Sequence, residues 1–242
     1  MPYAMTHLII ADRFAEKRNI PERELFLLAN VAPDAVHARR DYRGEIKAGS
    51  HYLQPEETWG EVYEEVPMNI WYARLKSIYT EKQKIVRNEK DDSFLKGYFL
   101  HILADIFNGQ LLYGPNLIKY GTDDVTGFRR VYRSECLEQD FYLYQTCPKN
   151  REIMESIFCA LDEPDLGDII HHFGFDENFS LHNLKDKMVV QVQDFRSAPR
   201  ASLDDLEMIT EESTKRIIEH MFTECDRMLY DFPDPERTFR MD

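Results

Sequence analysis

Apolar residues recur at the three-to-four-residue spacing of an α-helix along most of this chain, and the period-two alternation of a half-buried strand is scarce. The pattern predicts an all-α protein. A strand competes only at MVVQVQDF, 188–195, where valines alternate with glutamines, and there the flanking residues and the helical-length context favour helix. Helices are expected over 4–17, 22–31, 57–87, 92–112, 124–146, 150–161, 182–197 and 203–230, with 164–181 ambiguous. The break at Asn19-Ile20-Pro21 and Pro33 end the first two, while Gly44, Gly49, Ser50 and Pro55 make 38–56 read as a loop. With 43% hydrophobic residues in 242 and no repeat or linker to divide them, the chain has core enough for a single compact domain. The polar, proline-broken tail from Asp231 is expected on its surface.

Charge narrows the partners. Lys plus Arg number 30 against 44 Asp plus Glu, a formal net charge of −14. Such a balance disfavours long nucleic acids, whose backbones are held by basic patches, and it repels anionic bilayers. The opening MPYAMTHLIIADRF has no basic stretch before its short apolar run and no cleavage site after it, unlike a signal peptide. No uncharged apolar segment approaches the ~20 residues that a membrane helix needs. A cytoplasmic protein without stable membrane association is therefore expected. The four cysteines (Cys136, Cys147, Cys159, Cys225) lack CxxC spacing, which fits reduced thiols and leaves histidines and carboxylates as the candidate metal donors.

The segment FLKGYFLHILADIF, 94–107, is an apolar helix with His101 and Asp105 among its few polar interruptions. Four residues apart, they lie one turn apart on one face and can reach the same cation. A buried unpaired Asp is costly, so Asp105 needs a partner: either its neighbouring imidazole or a metal ion. Gly97, one turn earlier on the same stripe, is expected to leave space there for an ion, a water or another ligand. Three upstream residues join them as candidates: His7 on the apolar face of the first helix, Asp34 after Pro33, and His51 in KAGSHYLQP. Taken singly, they read first as a satisfied core histidine, a turn or cap residue, and a solvated loop histidine; together they become candidates.

The ordered segments MPYAMTHLIIAD, FLLANVAPDAVH, GSHY and GYFLHILADIF resemble the zinc-dependent phospholipase C and single-strand-specific nuclease superfamily over about the first 110 residues. The resemblance implies a compact multi-helix bundle around a metal site. It implies that Asp34, His51, His101 and Asp105 hold one ion, and that Asp105 bridges to a second ion held also by His7. It tips the ion towards Zn over Mn or Fe, all of which suit imidazole and carboxylate donors. In that superfamily the processed N-terminus is also a ligand, a role that removal of Met1 would give to the Pro2 amine. The chain departs from the pattern downstream, with no histidine between His101 and His171. Glu135 and Asp140 in VYRSECLEQDFYLYQ are offered instead, or else form an acidic solvent face. His37 is either a supporting donor to the site or solvated, and Asp168 with His172 repeats the four-residue spacing in a structural setting.

One or two such ions imply a hydrolase that acts on a small phosphoester, phosphodiester or phospholipid-like substrate through metal-activated water, with Asp34 orienting or deprotonating that water. Two alternatives remain open: a metallohydrolase of a non-phosphate substrate, and a non-catalytic metal-binding helical protein.

Overall fold

The computed structural model describes residues 4–54, 57, 64–121 and 123–230. Its helices are α1 (Ala4–Arg18), α2 (Arg23–Val31), α3 (Gly44–Ser50), α4 (Glu65–Gln83), α5 (Glu89–Asn108), α6 (Gly114–Tyr120), α7 (Val125–Thr146), α8 (Pro148–Leu161), α9 (Leu166–His172), α10 (Leu181–Ser197) and α11 (Glu211–Tyr230). Two 3-10 segments, Ala32–Ala38 and Phe175–Glu177, and a π turn at Gly109–Tyr113 complete the order. No strand occurs among the described residues, as the periodicity predicts, and none of their helices is long and apolar enough to cross a membrane. The N-terminal Met1–Pro2, the start of the expected 57–87 helix and the tail from Asp231 lie outside the described residues.

Helix α5 organises the molecule because it is apolar on every side, a condition that only burial on every side satisfies. From Phe94 to Asn108 all but Lys96 are buried, and α1, α2, α4 and α11 pack around them. The buried apolar side chains form one contiguous cluster. Asn88 starts α5 earlier than expected by accepting the Asp91 amide on its side chain, and three acids in the first turn favour the positive end of the helix dipole. At the far end the helix does not stop at 112. Pro115 has no N–H for the carbonyl four residues back, and the chain widens into the π turn before resuming as α6.

Gly97 does not open a space for a ligand. A Cβ there would collide with the Phe26 carbonyl oxygen and lie 2.9 Å from Ala29 Cβ, so the missing side chain lets α2 cross α5 at backbone contact. Asn30 Nδ2 then donates to the Gly97 carbonyl at 3.1 Å.

Three further expectations are corrected by packing. The stretch 38–56 contains α3, whose glycines fall at its ends and whose Lys47 and Ser50 are buried against the first 3-10 segment. Tertiary contact there overrides weak helix propensity. The 203–230 helix begins only at 211, because the Glu135 carboxylate accepts the amides of Glu207, Met208 and Ile209 at 2.9–3.1 Å and fixes them in an irregular turn. The ambiguous 164–181 segment resolves into α9, a left-handed Gly174 and a 3-10 turn. At 188–195 helix prevails, with Met188, Gln191, Val192 and Phe195 buried at helical spacing and Val189 and Val190 facing out.

Candidate metal centre

Four elements deliver the candidate residues to one place. His7 lies in the first turns of α1, Asp34 in the 3-10 segment after α2, His51 at the end of α3, and His101 with Asp105 on α5. All but Asp34 are buried.

Each is held by local structure. The Asp140 carboxylate on α7 caps α1 from outside, accepting the Met5 amide at 2.7 Å and the Thr6 amide and hydroxyl at 3.2 Å. Helix α3 ends in a Schellman motif: Leu53 N donates to the Ala48 carbonyl, Tyr52 N donates to the Gly49 carbonyl, and Tyr52 takes the left-handed φ of 57°. That turn fixes His51 as the C-cap. Tyr98 of α5 donates to the Ser50 carbonyl at 2.7 Å and Trp71 of α4 to the His51 carbonyl at 2.8 Å, clamping it from both sides.

The histidine tautomers follow from these partners. His101 Nδ1 lies 2.7 Å from the Asn30 carbonyl, and His51 Nδ1 lies 3.0 Å from the Lys47 carbonyl and 2.8 Å from Ser50 Oγ. A carbonyl only accepts, so each Nδ1 carries the hydrogen and each Nε2 of the neutral ring presents a bare lone pair. The Asn30 oxygen is available because its 3-10 partner would be Pro33, which has no N–H. Burial keeps both rings neutral: it pushes His51 down, and it combines with neighbouring His7 to push His101 well below the usual range.

The Nε2 atoms converge on a carboxylate. His51 Nε2 and His101 Nε2 are 3.2 Å apart and lie 3.4 and 3.9 Å from Asp105 Oδ2, while His7 Nε2 is 3.4 Å from Asp105 Oδ1. The His7 ring stacks on His101 with centroids 3.9 Å apart. Neither nitrogen of His7 and neither oxygen of Asp105 has a hydrogen-bond partner among the described residues. Buried polar groups in native proteins are rarely left in this condition, and an unpaired buried charge costs several kcal/mol.

A divalent cation would satisfy this set of donors. Zinc bonds of ~2.0–2.1 Å set tetrahedral ligands about 3.3 Å apart, close to the separations of His51, His101 and Asp105. Two overlapping groups bring donor atoms within 4.8 Å of one another: His7 with His101 and Asp105, and Asp34 with His51 and His101.

Asp34 stands apart from the others. Its side chain is 21% exposed, and its Oδ1 accepts from the buried Lys47 Nζ at 2.8 Å, with His37 Nε2 at 3.4 Å and His51 Nε2 at 3.7 Å. Desolvation pushes its carboxyl up, but the Lys47 ammonium and His37 outweigh it and hold it well below the usual range. His37, in turn, lies 3.3 Å from Lys47 Nζ. Lys47 is a site residue without a motif of its own: it precedes His51 by one helical turn and becomes visible only once 44–50 is helix.

The acids of α7 are not in either donor group. Glu135 is engaged by the 207–209 amides and Asp140 by the start of α1. Asp140 supports His7 from behind, and its burial pushes the carboxyl up to about 7 against the pull of the Met5 and Thr6 amides. Asp168 pairs with Arg87 and His172 with the Ile85 carbonyl, so their spacing has a structural use. No protein-family model, curated protein or solved structure matches the chain.

Proposed function

We propose that this protein is a metal-dependent hydrolase acting on a small phosphoester or phosphodiester, with zinc the best-suited ion and manganese or iron the substitutes. The observation that supports this is the convergence of buried His51 and His101, oriented through their Nδ1 contacts, on Asp105, whose oxygens, like the nitrogens of His7, have no hydrogen-bond partner among the described residues. When bound among them, a divalent ion supplies an acidified water and a charge that offsets a phosphoryl oxygen.

The chain's own groups would divide the remaining work. The Asn30 and Lys47 carbonyls hold His101 and His51 in the tautomer that presents Nε2 inward. Asp34, at the exposed edge, orients the attacking water and accepts its proton. Lys47 places an ammonium beside Asp34, where it can meet an anionic oxygen of the substrate. The net charge of −14 selects against extended polyanions and leaves small substrates. Screening the purified chain on phosphomonoesters, phosphodiesters and amides with added Zn(II) or Mn(II) tests this reading. Phosphoester turnover that disappears in His101→Ala supports it, and turnover of amides alone would move the assignment to a carbonyl hydrolase.

One observation favours a non-catalytic metal protein instead: the proposed base, Asp34, is already engaged by Lys47. Cobalt substitution separates the two. A hydrolytic ion keeps an exchangeable position, so phosphate shifts the Co(II) absorption spectrum; a closed structural ion gives no shift.

A further inference from the structure

The two donor groups share one atom, and that sharing limits how many ions they can hold. His101 Nε2 belongs to both, yet its single in-plane lone pair can bond only one ion. The first group pairs with no Lys or Arg among the described residues, and the His7 and Asp105 atoms there have no hydrogen-bond partner. The second already contains a cation. Lys47 Nζ, buried on a short helix clamped at its end, bonds the same Asp34 oxygen that faces His51. An ion bonded to that oxygen would lie within a few ångströms of the ammonium in a poorly solvated setting, where like charges repel strongly.

We propose that the Lys47 ammonium stands in for a second metal ion, so that the centre takes one divalent cation, bonded by His51, His101 and Asp105 with a fourth position open, while Asp34 binds Lys47 rather than metal. This rests on the metal-centre reading above and deepens it by fixing the stoichiometry and by dividing Asp34 from the ligands. The device has a chemical consequence. The cationic partner next to the ion is permanent, independent of metal supply, and carries N–H donors that recognise a phosphoryl oxygen. In Lys47→Met the same atoms could hold two ions: His7, His101 and Asp105 on one side, and Asp34, His51 and His37, whose Nε2 is 3.4 Å from Asp34 Oδ1, on the other.

The experiment is zinc stoichiometry on the full chain, by equilibrium dialysis against Zn(II) followed by elemental analysis. The wild type is expected to hold about one ion per chain, Asp34→Asn about one, and Lys47→Met about two. Lys47→Arg keeps the positive charge and should stay at one, which keeps the test decisive if Lys47→Met does not fold. Two ions in the wild type, or a loss of zinc in folded Asp34→Asn, would overturn the lysine substitution and leave the hydrolase reading intact. No zinc or manganese in any form would overturn both.

Discussion

Buried carboxylates occur on both α5 and α7, and the protein treats them in opposite ways. On α7 the oxygens of Asp140 and Glu135 are occupied by main-chain amides, three from the 207–209 turn and two from the start of α1. On α5 both oxygens of Asp105 lack a hydrogen bond among the described residues, although they lie amid three imidazoles. The same residue chemistry, at the same depth, is structural where its lone pairs are used by the backbone and available for a ligand where they are not. The difference lies in whether a chain segment with free amides was packed against the acid.

The largest expected difference between the two acids is in metal binding. Asp105→Asn and His101→Ala should each lower zinc affinity by more than the ~10–100-fold that loss of a supporting residue costs, measured by competition with a chromogenic chelator. Glu135→Gln should leave zinc content unchanged. If Glu135→Gln removes the ion, the division between structural and ligating acids fails.

Linkage between metal and stability sharpens the contrast. Free Zn(II) at 100 times its dissociation constant should stabilise the wild type by about 2.7 kcal/mol. The gain should persist in Glu135→Gln and vanish in Asp105→Asn, read as the shift in thermal midpoint. A metal-independent loss is expected for Asp140→Ala, which leaves the Met5 and Thr6 amides unsatisfied at about 1–3 kcal/mol for each that stays buried. Urea melts should show that loss with zinc stoichiometry intact.

A separate effect is a pH dependence. Burial raises the Asp140 carboxyl to about 7, above its unfolded value of 3.8, so the folded state binds the proton more tightly. The resulting stabilisation is full below pH ~4 and is lost as pH rises through about 7. The wild type should therefore lose stability relative to Asp140→Asn over that window, whereas a flat difference would show that the amides hold the carboxylate ionised.

Much of the fold was legible because its signal is local. The period of apolar residues marks α5 and α7 as helices, and the spacing of His101 and Asp105 alone puts two donors on one face. The convergence of His7, Asp34 and His51 was accessible only through the order of the motifs, since nothing local ties a residue of α1 to one of α5. Gly97 was misjudged for the same reason: whether a missing side chain admits a ligand or another helix is decided by Phe26 and Ala29, far away in sequence. Helix α3 was hidden because its stability comes from tertiary contact, and Lys47 was hidden with it. Glu135 could not be separated from a metal donor until the turn at 207–209 was found on its oxygens.

The most direct test is an anomalous-scattering map collected at the zinc edge on crystals of the full chain grown with Zn(II). The account predicts a peak within bonding distance of His51 Nε2, His101 Nε2 and an Asp105 oxygen, with Lys47 still on Asp34. Density without anomalous signal at that point, with Asp105 hydrogen-bonded to water or to a protonated histidine, would contradict it.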